Sequence, residues 1–294
     1  MTPHPPWLRF QAYVVGLAKT GSTSMATIFG RYRTGHEWQL HELTVAGLAR
    51  RRGDLSDEAF LRTTGRRLDP PALELDSTTS HRLYVDLLLR KYPHAVFFHT
   101  IRDVRSWATS VLDMVLLRKM ARRLVGMPFT DANREIVASW TEGTYVLERE
   151  DDANERVALP PLMRAWAAHM REMAALLPPE RSLVVRTREI PDRLPEIARL
   201  AGVPASTLRA DLAHVNRSPL KLDRFALFDG DALREAYDTH CAELMAELFP
   251  AEHAAWVSLR KGAAPPPLDW ASYHAAVEEL ATRMVALHGE RVAR

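Results

Sequence analysis

Residues 14–25, with the sequence VVGLAKTGSTSM, decide the fold of this chain. They continue the apolar run QAYVVGL at 11–17, which is typical of a buried strand that opens into a tight loop at Gly16. From Ser22 to about Arg31 the pattern becomes helical. A glycine-bounded loop between a strand and a helix points several backbone N–H groups at one spot. The stretch therefore predicts a binding site for an anion of phosphate size.

The lysine of this loop is displaced from its usual place. Gly16 and Gly21 keep the G-x-x-x-x-G spacing of nucleoside triphosphate loops, in which lysine directly follows the second glycine. Here Ser22 occupies that position, and Lys19 precedes the glycine instead. A kinase or ATPase needs its lysine on the β- and γ-phosphates and a hydroxyl residue on Mg²⁺. The arrangement argues against a P-loop-type small-molecule kinase, which stays the alternative enzyme class.

Short apolar runs alternate with helical patterns along the rest of the chain. The later candidate strands are LEL at 73–75, AVFFHTI at 95–101 and SLVVRT at 182–187. Helices are predicted over 38–52, 56–67, 80–91, 103–124 with an N-terminal cap at Asp103, 131–150, 161–176, 191–201, 229–249 and about 269–288. This alternation predicts an α/β fold with three α/β/α layers around a central parallel sheet. We expect one domain over 1–294, with a core at about 10–220 and a helix-rich C-terminal tail at about 229–294.

Composition and charge exclude several classes of protein. Among the 294 residues, 39 Lys and Arg balance 37 Asp and Glu, so no overall field would attract nucleic acid or an anionic membrane. Cys241 is the single cysteine, which excludes a disulfide framework and fits a reducing compartment. No apolar stretch approaches the ~20 residues that span a bilayer, and the start MTPHPPWLRF has no signal-peptide pattern. We therefore expect a cytoplasmic protein without a membrane span.

The motif K-T-G-S-T-S at 19–24 resembles the 5′-phosphosulfate loop of sulfotransferases that use 3′-phosphoadenosine 5′-phosphosulfate (PAPS). That family commonly has K-x-G-T-T or K-T-G-T-T-S after its first strand. The resemblance implies the P-loop NTPase-like sulfotransferase fold. It also implies that Lys19 contacts the oxygen between phosphate and sulfate, and that the 5′-phosphate is bound by the following residues: Thr20, Gly21, Ser22, Thr23 and Ser24.

A second stretch, YPHAVFFHTIRDVRSWATS at 92–110, is similar to another signature of the family, an apolar strand that ends in R-D-P-x-x-x-x-x-S. The resemblance implies that Arg102 and Ser110 bind the 3′-phosphate of the donor. A guanidinium suits this role because it binds phosphate oxygens bidentately. Val104 stands where the family usually has proline. Since proline only pre-sets the first turn of a helix, this departure matters little.

Two shorter stretches nearer the C-terminus resemble further nucleotide-binding loops of the family. LAGVPASTLRADLAHVNRSP at 200–219 is similar to a late segment of some bacterial members and implies that Asn216 and Arg217 close over the nucleotide. The triplet R-K-G at 260–262 is similar to a loop of cytosolic sulfotransferases that binds the 3′-phosphate. The sequence leaves open which of these loops closes over the nucleotide.

The general base is the least decided part of the predicted site. By analogy with phosphoryl transfer, charge builds on the leaving oxygen while the acceptor hydroxyl loses its proton. In glycan-type sulfotransferases, a glutamate about this far beyond the phosphate loop is the general base. By this resemblance Glu37 is the first candidate here, and His36 is its rival. Adjacent residues of a regular helix cannot point at one spot, so we expect one base and one supporting residue. The segment ELDSTTSH at 74–81 adds Asp76 and His81 as candidates, with a helix N-cap as the alternative role of Asp76.

These motifs predict a sulfotransferase that moves the sulfuryl group of PAPS to a hydroxyl of a small-molecule or glycan acceptor and releases adenosine 3′,5′-bisphosphate. The scheme requires no metal ion. The alternative in which the protein is not an enzyme is a non-catalytic nucleotide-binding module, which would bind the bisphosphate without turnover. Nucleic acid is not an expected partner, and a homodimer is left open.

Overall fold

A computed structural model describes residues 7–68, 72–124, 152–213 and 231–259, together with 275, 278–283 and 285–286 near the C-terminus. The chain divides into two compact units. The first comprises Met1–Arg102 and Ala168–Arg217, and the second comprises Asp103–Ala167 and Ser218–Arg294. The second unit thus joins the middle of the chain to its C-terminal part. The expectation of one domain with a separate helical tail stays a prediction.

The first unit is built on one five-stranded parallel sheet. Its strands are β1 (Ala12–Val14), β2 (Thr34–His36), β3 (Leu75–Ser77), β4 (Val96–Ile101) and β5 (Ser182–Arg186), in the order β2-β3-β1-β4-β5. In the centre of the sheet, Ala12 of β1 pairs in register with Leu75 of β3 on one side and with Val96 of β4 on the other. All residues of β1 and β3 are buried, as expected for strands that are covered on both faces.

The described α-helices lie between and after these strands. They are α1 (Ser22–Ile28), α2 (Leu40–Arg52), α3 (Asp57–Leu68), α4 (Val85–Lys91), α5 (Val104–Leu124), α6 (Asp152–Leu176), α7 (Leu194–Ala201), α8 (Asp231–Ala236), α9 (Ala242–Leu248) and α10 (Pro250–Leu259). Residues 278–283 are helical as well. None of the helices within the described ranges combines the length and the apolar character that a bilayer crossing requires.

Apolar side chains cover both faces of the sheet. Because alternate residues of a strand point to opposite faces, Tyr13 and Phe97 enter one core while Val14 and Phe98 enter the other. The first core includes Leu43 of α2, Phe60 of α3 and Leu88 of α4, and the second includes Met25 of α1 and Ile197 of α7. The structure thus confirms the predicted three-layer α/β fold.

The second unit is helical in its described part, which confirms the predicted helix-rich C-terminal region. Asp103 caps α5, because its Oδ1 accepts a hydrogen bond from the N–H of Ser106 at 2.9 Å. A π-helical turn, Tyr237–Cys241, lies between α8 and α9. Tyr237 stacks on Trp256 of α10 with ring centroids 4.6 Å apart, and the guanidinium of Arg105 lies 5.7 Å from the centroid of the same Trp256 ring.

Several elements differ from the sequence prediction. β2 is not predicted, because Thr34–His36 contains no large apolar residue, and β3 lies at 75–77 rather than 73–75. The segment from 80 begins with a 3₁₀ turn, Thr79–Leu83, before α4. α6 begins at Asp152, before the predicted start at 161, and continues through two prolines, and the sequence does not predict α10. The helix predicted at 131–150 lies outside the described residues.

Candidate active site

The carboxyl edge of the sheet gathers most of the predicted site residues. β1 is the topological switch point, because the chain forms β2 and β3 on one side of it and β4 and β5 on the other. Ligands of open parallel sheets bind beyond the carboxyl ends of the strands at such a point. The phosphate loop, residues 15–21, follows β1, while Glu37, Thr78, Arg102 and Thr187 follow the other four strands in turn.

Gly16 lets the phosphate loop pass close to β4. A Cβ atom on Gly16 would lie 2.1 Å from Oγ1 of Thr100 and 2.4 Å from Oγ1 of Thr20. These two hydroxyls lie 3.0 Å apart in a hydrogen bond, and Oγ1 of Thr20 also donates to the carbonyl oxygen of Leu17 at 2.7 Å. Thr20 is completely buried. Its side chain therefore shapes the loop from the inside.

Lys19 and Gly21 turn the loop into α1. Both have a positive φ, 67° and 105°. Only glycine adopts this region freely, so Lys19 carries about 1–2 kcal/mol of backbone strain. Strained non-glycine residues cluster at functional sites. Lys19 is half-buried, and its carbonyl oxygen accepts a long hydrogen bond of 3.4 Å from Nη1 of Arg102, which connects the loop to the end of β4.

Thr187 fastens the phosphate loop to the sheet, although no sequence motif singles it out. Its Oγ1 lies 2.6 Å from the carbonyl oxygen of Thr20 and 2.9 Å from that of Ile101, and its single proton is shared between these two acceptors. One hydroxyl thus bridges the loop and the last residue of β4. Its position at the end of a predicted strand is the signal that could have identified it.

We expect Thr187→Val to lower the free energy of unfolding by about 1–3 kcal/mol, because it removes the hydroxyl proton shared by the carbonyl oxygens of two buried residues while it keeps the shape of the side chain. Thr187→Ser retains the hydroxyl and is the matched control, with a smaller expected loss. Urea denaturation measures both changes. Equal stability of the two variants would contradict the bridging role.

The hydroxyls at the start of α1 contact His36. Nε2 of His36 lies 3.2 Å from Oγ of Ser22 and 3.1 Å from Oγ1 of Thr23. The two elements are also joined through Ser77 of β3, which is paired with His36 and whose Oγ donates to the carbonyl oxygen of Ser22 at 2.9 Å. Partial burial lowers the pKa of His36, so the imidazole is neutral at pH 7. Ser24, the last predicted phosphate ligand of this turn, is buried.

Glu37 is fixed in place just beyond β2. Its φ is 55°, and its N–H donates to the carbonyl oxygen of Ser77 at 2.9 Å. Oε2 accepts hydrogen bonds from the hydroxyls of Thr78 at 3.1 Å and Thr79 at 3.4 Å, and Oε1 accepts one from the N–H of Thr79 at 3.3 Å. Burial raises the pKa of Glu37, and these hydrogen bonds partly oppose the rise. An oriented carboxylate with a raised pKa has the properties of a general base.

His36 and Glu37 converge, whereas helical geometry would turn adjacent side chains apart. His36 ends a strand, and α2 begins only at Leu40. Oε1 of Glu37 therefore comes within 3.8 Å of Nε2 of His36. The argument from a regular helix does not apply to these two positions, because His36 ends β2 and Glu37 lies in the turn before α2. The division into one base and one supporting residue stays a prediction.

Asp76 and His81 form a buried pair. Nδ1 of His81 donates to the carbonyl oxygen of Val14 at 2.8 Å, and Nε2 lies 3.5 Å from Oδ2 of Asp76. The N-cap interpretation of Asp76 is wrong: Asp76 is still part of β3, and the side chain of Thr78 accepts the capping hydrogen bond from the N–H of Ser80. Asp76 is only 3% exposed. Its catalytic role stays a prediction, and its burial favours Glu37.

A second pair of buried imidazoles, His99 of β4 and His169 of α6, has no predicted role. Their ring centroids are 5.2 Å apart. Burial lowers the pKa of His99 to about 3 and the pKa of His169 well below its ordinary value. Both rings are therefore neutral at pH 7 and too weakly basic to serve as general bases. In the described part of the chain, no three His, Cys, Asp or Glu side chains are grouped so as to hold a metal ion.

The two residues predicted to bind the 3′-phosphate differ in their surroundings. Arg102 directly follows β4 and is half-buried. Ser110 lies in α5 and is 3% exposed, and its Oγ has no hydrogen-bond partner within the described ranges. A buried hydroxyl without a partner is uncommon, so Ser110 retains the capacity to contact a ligand. Asn216 and Arg217 lie outside the described residues, as does the R-K-G triplet at 260–262.

The fold and the loop after β1 define an α/β protein with a phosphate loop at the switch point of its sheet. The family model described as "Sulfotransferase domain" matches residues 12–192, which include all five strands. This match spans more than half of the chain, and the chain therefore belongs to the sulfotransferase family.

Solved structures of bacterial sulfotransferases are similar at low sequence identity. A sulfotransferase from Alicyclobacillus acidocaldarius is 13% identical, with a TM-score of 0.42 over 79% of this chain and 95% of that chain. Sulfotransferase STF9 from Mycobacterium avium is 15% identical, with a TM-score of 0.41 over 83% and 78%. A sulfotransferase domain from the curacin biosynthetic pathway is 11% identical, with a TM-score of 0.34 over 79% and 97%. No curated protein sequence matches the chain.

Proposed function

We propose that this sulfotransferase takes the sulfuryl group from PAPS and transfers it to a hydroxyl of a small-molecule or glycan acceptor. The observation that carries the proposal is the phosphate loop after β1, with Lys19 at its tip and the hydroxyls of Ser22 and Thr23 directly behind it. Family membership supports sulfuryl transfer. The resemblance of K-T-G-S-T-S to 5′-phosphosulfate loops supports PAPS as the donor.

The residues around this loop fit a 5′-phosphosulfate. The positive φ of Gly21 starts α1, whose first N–H groups have no acceptor within the helix. Thr23 is half-buried and Lys19 is half-buried, so both can reach a ligand from the loop. Thr20, Ser22 and Ser24 are all buried. We assign the side chain of Thr20 to the shape of the loop, because its Oγ1 already bonds to Leu17 and Thr100.

Two side chains would perform the chemistry. PAPS, when bound, supplies a sulfuryl group that is activated by its bond to a phosphate oxygen. Lys19 places a positive charge where the leaving oxygen becomes negative, which stabilises the transition state more than the ground state. Glu37 accepts the proton of the acceptor hydroxyl. We assign this proton to Oε1, because Oε1 accepts one hydrogen bond whereas Oε2 already accepts two.

We expect Arg102→Ala to weaken the binding of adenosine 3′,5′-bisphosphate by about 2–4 kcal/mol, since it removes a charged bidentate contact. Ser110→Ala removes one neutral hydroxyl and should cost about 1 kcal/mol. Titration calorimetry measures both, with Arg31→Ala, an exposed arginine beyond α1, as the matched control. Unchanged affinity in Arg102→Ala would mean that the 3′-phosphate binds elsewhere, for example at Arg260 and Lys261.

A thermal-shift panel of nucleotides tests the donor. Selective stabilisation by adenosine 3′,5′-bisphosphate over ATP and AMP would support PAPS, because a ligand that binds only the folded state raises the melting temperature. Selective stabilisation by ATP with Mg²⁺ would support a small-molecule kinase instead. Tight bisphosphate binding without transfer of radiolabelled sulfur to a panel of phenols, sugars and aliphatic alcohols would support a non-catalytic module.

We also propose a cytoplasmic location. Cys241, the single cysteine of the chain, is buried in the second unit. Proteins of reducing compartments commonly lack disulfides, so this composition supports the proposal. Fractionation of cells that express the chain with an epitope tag would test it.

A further inference from the structure

The imidazole of His36 lies against the two hydroxyls that the proposed function assigns to the donor. Its Nε2 is 3.2 Å from Oγ of Ser22 and 3.1 Å from Oγ1 of Thr23. If Nε2 carries a lone pair, it accepts a hydrogen bond from these hydroxyls. If it carries a proton, it donates a hydrogen bond to one of them. A phosphate that accepts hydrogen bonds from Ser22 and Thr23 therefore competes with a lone pair on Nε2 but not with an N–H there.

We propose that His36 is a ligand of the donor's 5′-phosphate and meets it as an imidazolium, so that donor binding takes up a proton. The inference rests on the proposed function, because it needs a phosphate at Ser22 and Thr23. With a proton on Nε2, the ring no longer accepts a hydrogen bond from either hydroxyl, so both can donate to phosphate oxygens. A phosphate bound by these hydroxyls lies within about 6 Å of the ring, where an opposite charge favours the charged form.

The charges near the imidazole of His36 are consistent with protonation of this ring when the donor binds. Partial burial lowers the pKa of His36 while no anion is bound. Glu37 favours the imidazolium, since its Oε1 lies 3.8 Å from Nε2. Lys19 supplies a positive charge in the loop before Ser22, and such a charge opposes the imidazolium. The neighbouring groups of α1 and β3, Ser22, Thr23 and Ser77, are uncharged. A bound phosphate adds the negative charge that shifts the balance toward the imidazolium.

Calorimetric titration with adenosine 3′,5′-bisphosphate, in two buffers that differ in ionisation enthalpy, measures the proton uptake. We expect wild type to take up more protons at pH 7 than His36→Gln, whose amide nitrogen lies near the place of Nε2 but cannot become charged. The contribution of His36 is complete below the pKa of the free protein and is lost as the pH rises through the higher pKa of the complex. The affinity of wild type relative to His36→Gln should therefore rise about tenfold from pH 8 to pH 6.

His94→Gln is the matched control. His94 is exposed and precedes β4, at the amino edge of the sheet, so this variant should bind and titrate like wild type. Because the comparison is made between variants, protonation of the ligand itself cancels. Equal proton uptake and equal pH dependence in wild type and His36→Gln, with both binding the bisphosphate, would overturn the inference and leave the donor assignment intact. Absence of bisphosphate binding to wild type would overturn the proposed function, and the inference with it.

Nuclear magnetic resonance of wild type gives a second measurement that does not depend on a variant. The C2 proton of His36 should titrate at a higher pH when AMP, which carries only a 5′-phosphate, is bound. Adenosine 3′-monophosphate should leave that titration unchanged. An unchanged His36 titration with saturating AMP would overturn the inference even if His36→Gln failed to fold.

Discussion

Lys19→Ala is expected to lower the rate of sulfuryl transfer by about 10³-fold or more while the protein keeps its fold. Cations that stabilise charge developed in the transition state of phosphoryl transfer contribute this much. Lys19 is half-buried, and its side chain leaves the loop at a backbone φ of 67°. Alanine carries the same Cβ and bears a similar strain in that conformation, so the loop has no new reason to rearrange.

Single-turnover transfer of radiolabelled sulfur from saturating PAPS measures this loss, and thermal unfolding monitors the fold. Lys19→Met keeps most of the length of the side chain without its charge and should be as slow as Lys19→Ala. Lys91→Ala is the matched control, because Lys91 ends α4 near the amino end of β4, at the other edge of the sheet. Wild-type turnover in Lys19→Ala would remove this lysine from the mechanism.

Glu37→Gln should lower turnover by about 10²–10⁴-fold with nearly unchanged affinity for the donor. Glutamine keeps the size of the side chain and one carbonyl oxygen that can accept from Thr78 and Thr79, but it has no basic oxygen. The structure supports this choice of base, because Glu37 is oriented by three hydrogen bonds at the carboxyl edge of the sheet. Asp76, its rival, is buried against His81.

The pH dependence of turnover provides a second sign of this base. Burial raises the pKa of Glu37 in the free protein, and only the ionised carboxylate can take a proton. The ratio kcat/KM, which reports groups of the free enzyme, should therefore fall as the pH falls through that raised pKa. This limb should be absent in Glu37→Gln. The stabilising contribution of Glu37 changes with pH in the opposite direction to kcat/KM. The folded protein holds the Glu37 proton more tightly than the unfolded chain does, so this contribution is lost as the pH rises through the folded-state pKa. We therefore expect Glu37→Gln to be at least as stable as wild type at pH 8.

Two further variants separate the candidates for the base. At saturating donor, His36→Gln should lower turnover much less than Glu37→Gln, because His36 is assigned to the phosphate. Asp76→Asn should also retain most of the turnover of any correctly folded protein. Normal single-turnover rates in Glu37→Gln, with a collapse in His36→Gln or in Asp76→Asn, would transfer the role to that residue.

The phosphate loop could be predicted because everything that forms it is local. The apolar strand, Gly16, Gly21 and the hydroxyls of α1 are close neighbours in sequence, so their spacing alone indicates a strand, a tight turn and a helix. The same holds for the end of β4, where Arg102 and the cap Asp103 follow a continuous apolar run. The match to the sulfotransferase family begins at residue 12, in β1 of this local unit.

Contacts between distant residues could not be predicted in this way. Thr187 and Thr20 are 167 positions apart, and nothing near either residue indicates the hydrogen bond that joins them. β2 has no apolar pattern of its own and exists because β3 supplies its hydrogen-bond partners. The division into two units is likewise invisible in composition, since it brings 103–167 together with the C-terminal part of the chain.

The chemical character of the site also depends partly on local sequence and partly on contacts between distant residues. Short-range patterns were sufficient to predict a strand, a tight loop and a helix with the pattern of an anion site, and to name Lys19, Glu37 and His36 as candidates. Only the folded chain shows that His36 meets Ser22 and Thr23, and that Glu37 meets the turn at Thr78 and Thr79. Burial and charge act through space and not along the chain, so the raised pKa of Glu37 and the lowered pKa of His36 arise only when β2, β3 and α1 come together.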